Sequence, residues 1–175
     1  MKKYIVVVVF IVTLIFSTTF VFAAKDSAVT IVNPVSQSTT TATNLLISVK
    51  VTQARTIKIS MYEEKALVNG KYVSIDLAAG GSVPRKEDMK SYLVFQPVTY
   101  NTPGKLMFCT KQVNGVHPGL YRVRVDTLAS GKVIYSSENY VGVKSKEDSG
   151  SKIFDNQQSG TFQFLQNILK SIFGS

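Results

Sequence analysis

The side chains that carry most enzyme chemistry are scarce in this 175-residue chain, which has one histidine, His117, and one cysteine, Cys109. A His-based triad or a His-rich metal site would have no second imidazole to recruit, and His117 itself stands before Pro118 in a turn signal. Cys109 falls inside an alternating run, the place of a small packed side chain rather than a nucleophile. Glu63 and Glu64 are adjacent, so on a strand they face opposite ways and form no acid/base pair. Glu87-Asp88 and Glu147-Asp148 are charge runs in loops. The expectation is a protein with no catalytic residues, no cofactor and no metal. Two other patterns suit binding. One is a basic and aromatic set, Lys58, Tyr62, Arg122 and Arg124. The other is an apolar series near the C-terminus.

The elements that must position these residues are strands. Ala28 to Val32 is β-branched and closed by Asn33-Pro34, as an edge strand would be. Ser36 to Thr43 is rich in Ser and Thr and is expected as a loop. Leu45, Ile47, Val49 and Val51 share one face of a strand, and Ile57, Ile59 and Met61 share one face of the next, over Thr56 to Glu63. Asn69-Gly70 between β-forming runs is a hairpin signal, because a type I′ turn needs positive φ at both central residues. One helical turn is expected over Arg85 to Lys90, a short strand over Tyr92 to Phe95, and a turn at Asn101 to Gly104. Further strands are expected over Lys105 to Val113 and Val133 to Val143. Turn-bounded strands with no long helical period point to an all-β sandwich.

The central stretch is His117-Pro118-Gly119-Leu120-Tyr121-Arg122-Val123-Arg124-Val125-Asp126. Tyr121, Val123 and Val125 alternate with Arg122, Arg124 and Asp126, giving one apolar and one charged face. With Gly119 two residues before Tyr121, this resembles strand F of bacterial immunoglobulin-like, or fibronectin III-like, β-sandwich domains. The resemblance covers Ala28 to Val143. It implies an antiparallel immunoglobulin-like sandwich, with Gly119 and Tyr121 as structural residues of a corner where the tyrosine hydroxyl bonds back to the chain. It also implies that strands C, F and G share a sheet, so Lys58, Tyr62, Arg122 and Arg124 would project from its outer face. The chain lacks the buried Trp and the disulfide of antibody domains.

The termini set the address. Lys2 and Lys3 precede an uncharged run from Tyr4 to Ala24, with Val21 and Ala23 at the −3 and −1 positions of a secretory cleavage site. A signal peptide over 1–23 is expected, with an uncleaved anchor as the alternative, since a span needs about 20 residues. Removing Lys2 and Lys3 from 20 basic residues leaves 18 against 11 acidic ones, a net charge of +7 for the mature chain. That balance suits an anionic membrane or wall polymer, and nothing in the chain matches a nucleic-acid-binding motif. Seven tyrosines remain outside the leader, enough for an aromatic sugar platform despite the absence of Trp. The sandwich is expected over 24–143, a flexible linker over 144–160 and an amphipathic helix over 161–175. Phe162, Phe164, Leu165, Ile168, Leu169, Ile172 and Phe173 fall on half of its wheel. The helix can dock on its own domain, lie in a membrane interface or bind a partner's groove. The expected function is a non-catalytic secreted or cell-surface module. It would recruit an envelope or extracellular protein through that helix or the outer sheet face. The alternative is a peripheral membrane or envelope structural protein held by the helix and positive charge.

Overall fold

The computed structural model describes residues 24–77, 84–146, 165–168 and 170. The leader, most of the linker, and Phe162, Phe164, Leu169, Ile172 and Phe173 lie outside the described residues. The strands in chain order are β1 (Val29–Asn33), β2 (Ser38–Thr40), β3 (Leu45–Val51), β4 (Arg55–Val68) and β5 (Lys71–Ser74). They continue with β6 (Met89–Leu93), β7 (Val98–Thr102), β8 (Met107–Val113), β9 (Gly119–Ala129) and β10 (Lys132–Val143). A 3-10 turn, Lys86–Asp88, precedes β6.

Period-two alternation sorts these strands into two sheets with an apolar interior. One sheet runs β1-β3-β8, and the other runs β2-β10-β9-β4-β5, with β6 and β7 also paired to β4. Between them lie Ile47, Val49 and Val51 of β3, Ile57, Ile59 and Met61 of β4, Val123 and Val125 of β9, and Val141 and Val143 of β10. Each fully buried aliphatic side chain contributes about 1.5–3 kcal/mol relative to exposure, so this interior is the main source of stability. Positive φ at Asn69 and Gly70, and again at Ser130 and Gly131, closes the hairpins β4–β5 and β9–β10. With the β1-β3-β8 and β10-β9-β4 groupings, this is an immunoglobulin-like β-sandwich.

β4 is fourteen residues long and changes its buried face partway. Ile57, Ile59 and Met61 point into the sandwich. From Glu63 on, that face opens and burial passes to the opposite one, at Glu64 and Ala66. A second apolar cluster sits there, on the outer side of the sheet. It joins Ala66, Ile75 and Leu77 to Leu120 of β9 and Tyr140 of β10, and to Leu165 and Ile168 of the helical segment 165–168.

Several local expectations change. Ser38–Thr40 is a strand within the expected loop, because three β-tolerant residues pair parallel to the end of β10. The strand expected to stop at Glu63 continues to Val68, since buried Glu64 finds partners in Arg122 and Ser91 instead of breaking the ladder. The expected helical turn shrinks to the 3-10 turn, and Met89 and Lys90 join β6 opposite Ala66 and Lys65. Asn101 and Thr102 end β7 rather than forming a turn.

Gly142 lies opposite Leu120 on β10 and under Leu77. A Cβ at this position would stand 2.5 Å from Leu77 Cδ1 and 3.3 Å from Thr39 Cγ2. Gly142→Ala is therefore expected to displace Leu77 and lower stability by about 1–3 kcal/mol, read as a lower urea midpoint at unchanged slope. An unchanged midpoint would contradict this packing.

Candidate functional site

The phase of β9 is set at its first residues. The Tyr121 hydroxyl donates to the His117 carbonyl at 2.8 Å, and Gly119 lies against Ser74, Glu63 and the Tyr121 ring. Burial, with the charge of Glu63, pushes the Tyr121 phenol up to about 12, against the opposing pull of the His117 bond. With Tyr121 inside, Val123 and Val125 follow it, and Arg122, Arg124 and Asp126 face out.

Outside, the cross-strand register aligns Tyr140, Arg122 and Tyr62 in one row and Glu138, Arg124 and Ser60 in the next. Arg122 Nε binds Glu64 Oε1 at 2.7 Å, and one terminal nitrogen binds Glu138 Oε1 at 2.6 Å. The other donates to Ser91 Oγ at 3.1 Å, and Ser91 donates to Glu64 Oε2 at 2.7 Å. The guanidinium carbon also stands 4.8 Å from the Tyr62 ring centroid. Burial alone would lower the Arg122 pKa. The hydrogen bond it donates to Glu64 and the charges of Glu138 and Glu64 more than offset it and hold the guanidinium charged. Arg124 Nε binds Asp126 Oδ1 at 2.8 Å, and Lys58 Nζ lies 3.6 Å from Asp126 Oδ2. Lys58, Tyr62, Arg122 and Arg124 thus share one face, but it is a paired lattice rather than an open basic strip. The Arg122 side chain is only 15% exposed.

A second brace ties the start of the fold to both long strands. Asp26 accepts from the Ala28 amide at 2.9 Å, from Arg55 Nε at 2.8 Å and from Thr127 Oγ1 at 3.2 Å. Burial raises its pKa, but the Ala28 and Arg55 bonds outweigh that and hold the carboxyl below its ordinary value. Cys109 is buried between the sheets, which pushes its thiol up and away from thiolate chemistry. Among the described residues no three His, Cys, Asp or Glu side chains converge on a point where a metal ion would sit.

Of the C-terminal apolar series, Leu165 and Ile168 are described, and both are fully buried in the second cluster. They cover the outer face at Leu120 and Tyr140. Gln166 is half-buried, and Asn167 and Lys170 are exposed.

The surface that sequence reasoning missed is the opened face of β4 beyond Met61. β5 and β6 flank this part of β4, pairing Leu67 with Tyr72, Lys65 with Lys90 and Glu63 with Tyr92. Tyr72 and Tyr92 meet edge to face, with centroids 6.2 Å apart. Lys65 Nζ stands 5.2 Å from the Tyr92 centroid, and Lys90 Nζ stands 5.5 Å from Tyr72 and 5.6 Å from Tyr92. Both rings remain more than a third exposed, at 38% and 37%. The only sequence signal was alternation continuing through Lys65, Leu67, Tyr72 and Lys90, Tyr92.

No protein-family model matches the chain, and no curated protein matches it. Among solved structures it is similar to a CARDB domain from Pyrococcus furiosus in complex with di-metal ions, at 14% identity and a TM-score of 0.37, over 71% of this chain and 98% of that one. It is also similar to parts of a family 2 glycosyl hydrolase from Bacteroides cellulosilyticus and a putative beta-galactosidase from Bacteroides fragilis. These are 17% and 20% identical over 66% of this chain, each with a TM-score of 0.27. The chain spans only 13% and 16% of those two proteins, and likenesses this distant bear on no activity.

Two measurements check the braces. Arg122→Met leaves Glu64 buried without its cation and is expected to cost roughly 3–5 kcal/mol, while the Glu64→Gln, Arg122→Met double variant is more stable than the single one. Equal stability of the two would show that the pair is not coupled. Asp26 has a lowered folded-state pKa, so its contribution is full above the unfolded value of about 3.9 and is lost as pH falls through the folded value. Wild-type and Asp26→Asn stabilities should therefore differ at pH 7 and converge in strong acid. Parallel curves from pH 7 to 2 would contradict this.

Proposed function

We propose that this chain is an exported, non-catalytic immunoglobulin-like interaction module that binds a component of the cell envelope. The supporting observation is where its polar and apolar groups are committed. Arg122, Arg124, Glu64, Glu138 and Asp126 are bound to one another, and Leu165 and Ile168 are packed on the chain's own sheet. Charges tied into mutual pairs are poor acid/base catalysts, because moving a proton would break the pair. Apolar residues under their own domain are likewise closed to a membrane or a partner's groove. The face of β4, β5 and β6, by contrast, leaves aromatic rings and a lysine open to a ligand.

The test is cosedimentation of residues 24–175 with isolated envelopes, beside flotation with vesicles containing 30% phosphatidylglycerol. Retention on envelopes without flotation, and without covalent change in the envelope material, is expected. Flotation with the vesicles would move the chain to the membrane-held reading, and turnover of any envelope component would overturn the non-catalytic one. A chain ending at Val143 uncovers Leu120 and Tyr140, so it should bind an apolar dye that residues 24–175 exclude. Equal dye binding would mean the tail does not cover this face.

A further inference from the structure

The face formed by Lys65, Leu67, Tyr72, Lys90 and Tyr92 combines two features rarely left together on a sheet. Its rings are exposed, and its cations are held beside the rings. Among the described residues Lys90 has no carboxylate partner, and both of its close contacts are with the Tyr72 and Tyr92 rings. A ring quadrupole orients an ammonium without cancelling its charge, whereas a salt bridge would neutralise it. Lys65 is partly balanced by Glu63 at 3.3 Å, and the Ser74 hydroxyl in turn donates to Glu63. The net field over the rings is therefore positive and rests chiefly on Lys90.

The shape narrows the ligand. Three adjacent strands put these groups on one face roughly 10 Å across, two strand spacings, a platform rather than a cleft among the described residues. An exposed tyrosine presents an apolar ring and a polar hydroxyl, which matches the C–H face and the hydroxyl rim of a sugar. The Lys65 and Lys90 ammonium groups, over the rings at 5.2–5.6 Å from the centroids, are within reach of an acidic substituent on a sugar held at this face. A bilayer would instead need a protruding apolar surface, whereas here the exposed apolar neighbours of the rings, Leu67 and Val94, are interleaved with Lys65 and Lys90.

We propose that this face binds an anionic polysaccharide, stacking a sugar ring on Tyr72 or Tyr92 and pairing its acidic groups with Lys90 and, more weakly, Lys65. The proposal rests on the interaction-module reading and names the ligand class for it.

The experiment is titration of residues 24–175 with polygalacturonate, with its methyl-esterified neutral form, polyglutamate and anionic vesicles as comparison arms. Polygalacturonate is expected to bind, more weakly as salt rises. Lys90→Gln is expected to weaken binding about fivefold, while Lys132→Gln at the β9–β10 turn leaves it unchanged. Tyr92→Leu keeps an apolar side chain but removes the stacking ring, and is expected to weaken polygalacturonate with no change in the unfolding midpoint. Equal binding of polyglutamate would overturn the sugar part of the proposal. Binding of the neutral polymer with the same affinity would overturn the charge part. Vesicle binding lost with Lys90→Gln would replace the polysaccharide with a membrane. If no probe binds while envelopes still retain the chain, the ligand class falls and the interaction-module reading stands. If envelopes also fail to retain it, both fall.

Discussion

One strand has to satisfy two interiors on opposite sides of a sheet, and the rest of the structure follows from how it does so. Side chains on a strand alternate strictly, so a slip of one residue would exchange every buried group for an exposed one. β4 keeps its alternation from Arg55 to Val68 and lets the interior change sides instead. The sandwich ends at Met61, and the outer cluster begins at Glu64 and Ala66. The backbone groups of this long strand are occupied on both edges, by β9 and β5 on one side and by β7 and β6 on the other. The opened face is thus held on a continuous ladder rather than on a loop.

Between the two interiors lies the charged lattice. Glu64 is buried at the point where β4 changes sides, and an unpaired carboxylate there would be costly. Arg122 from β9 and Ser91 from β6 complete its shell, and Arg122 reaches on to Glu138 of β10. These bonds join side chains from four strands and require β9 and β10 to sit in one register relative to β4. An apolar patch of similar volume would tolerate slippage. Directional charge pairs set a single alignment, and the apolar outer cluster then closes over Leu120 and Tyr140.

Much of the sandwich was legible because its rules are local. Alternation at Leu45 to Val51, at Ile57 to Met61 and at Tyr121 to Val125 depends only on neighbouring residues, and so does the Asn69-Gly70 turn. What was not legible is pairing at a distance. Glu64 and Arg122 are 58 residues apart, and in sequence each looks like a solvated charge. Tyr72 and Tyr92 meet only because β5 and β6 flank the same strand, a fact absent from either run by itself. Leu120, Tyr140 and Ala66 are isolated apolar residues on polar faces, and their purpose appears only when three strands and the tail are superposed.

The Ala24 carbonyl accepts a hydrogen bond from the Ser136 amide at 3.2 Å, at the level of Asp126 and Lys58 in the sheet. Lys65 lies seven residues farther along β4, about 23 Å away at ordinary strand rise. The sandwich therefore has a root and a tip. Asp26 clamps the backbone to Arg55 and Thr127 at the root. The tyrosine–lysine face stands at the tip, and its distance from the root is set by the length of one strand.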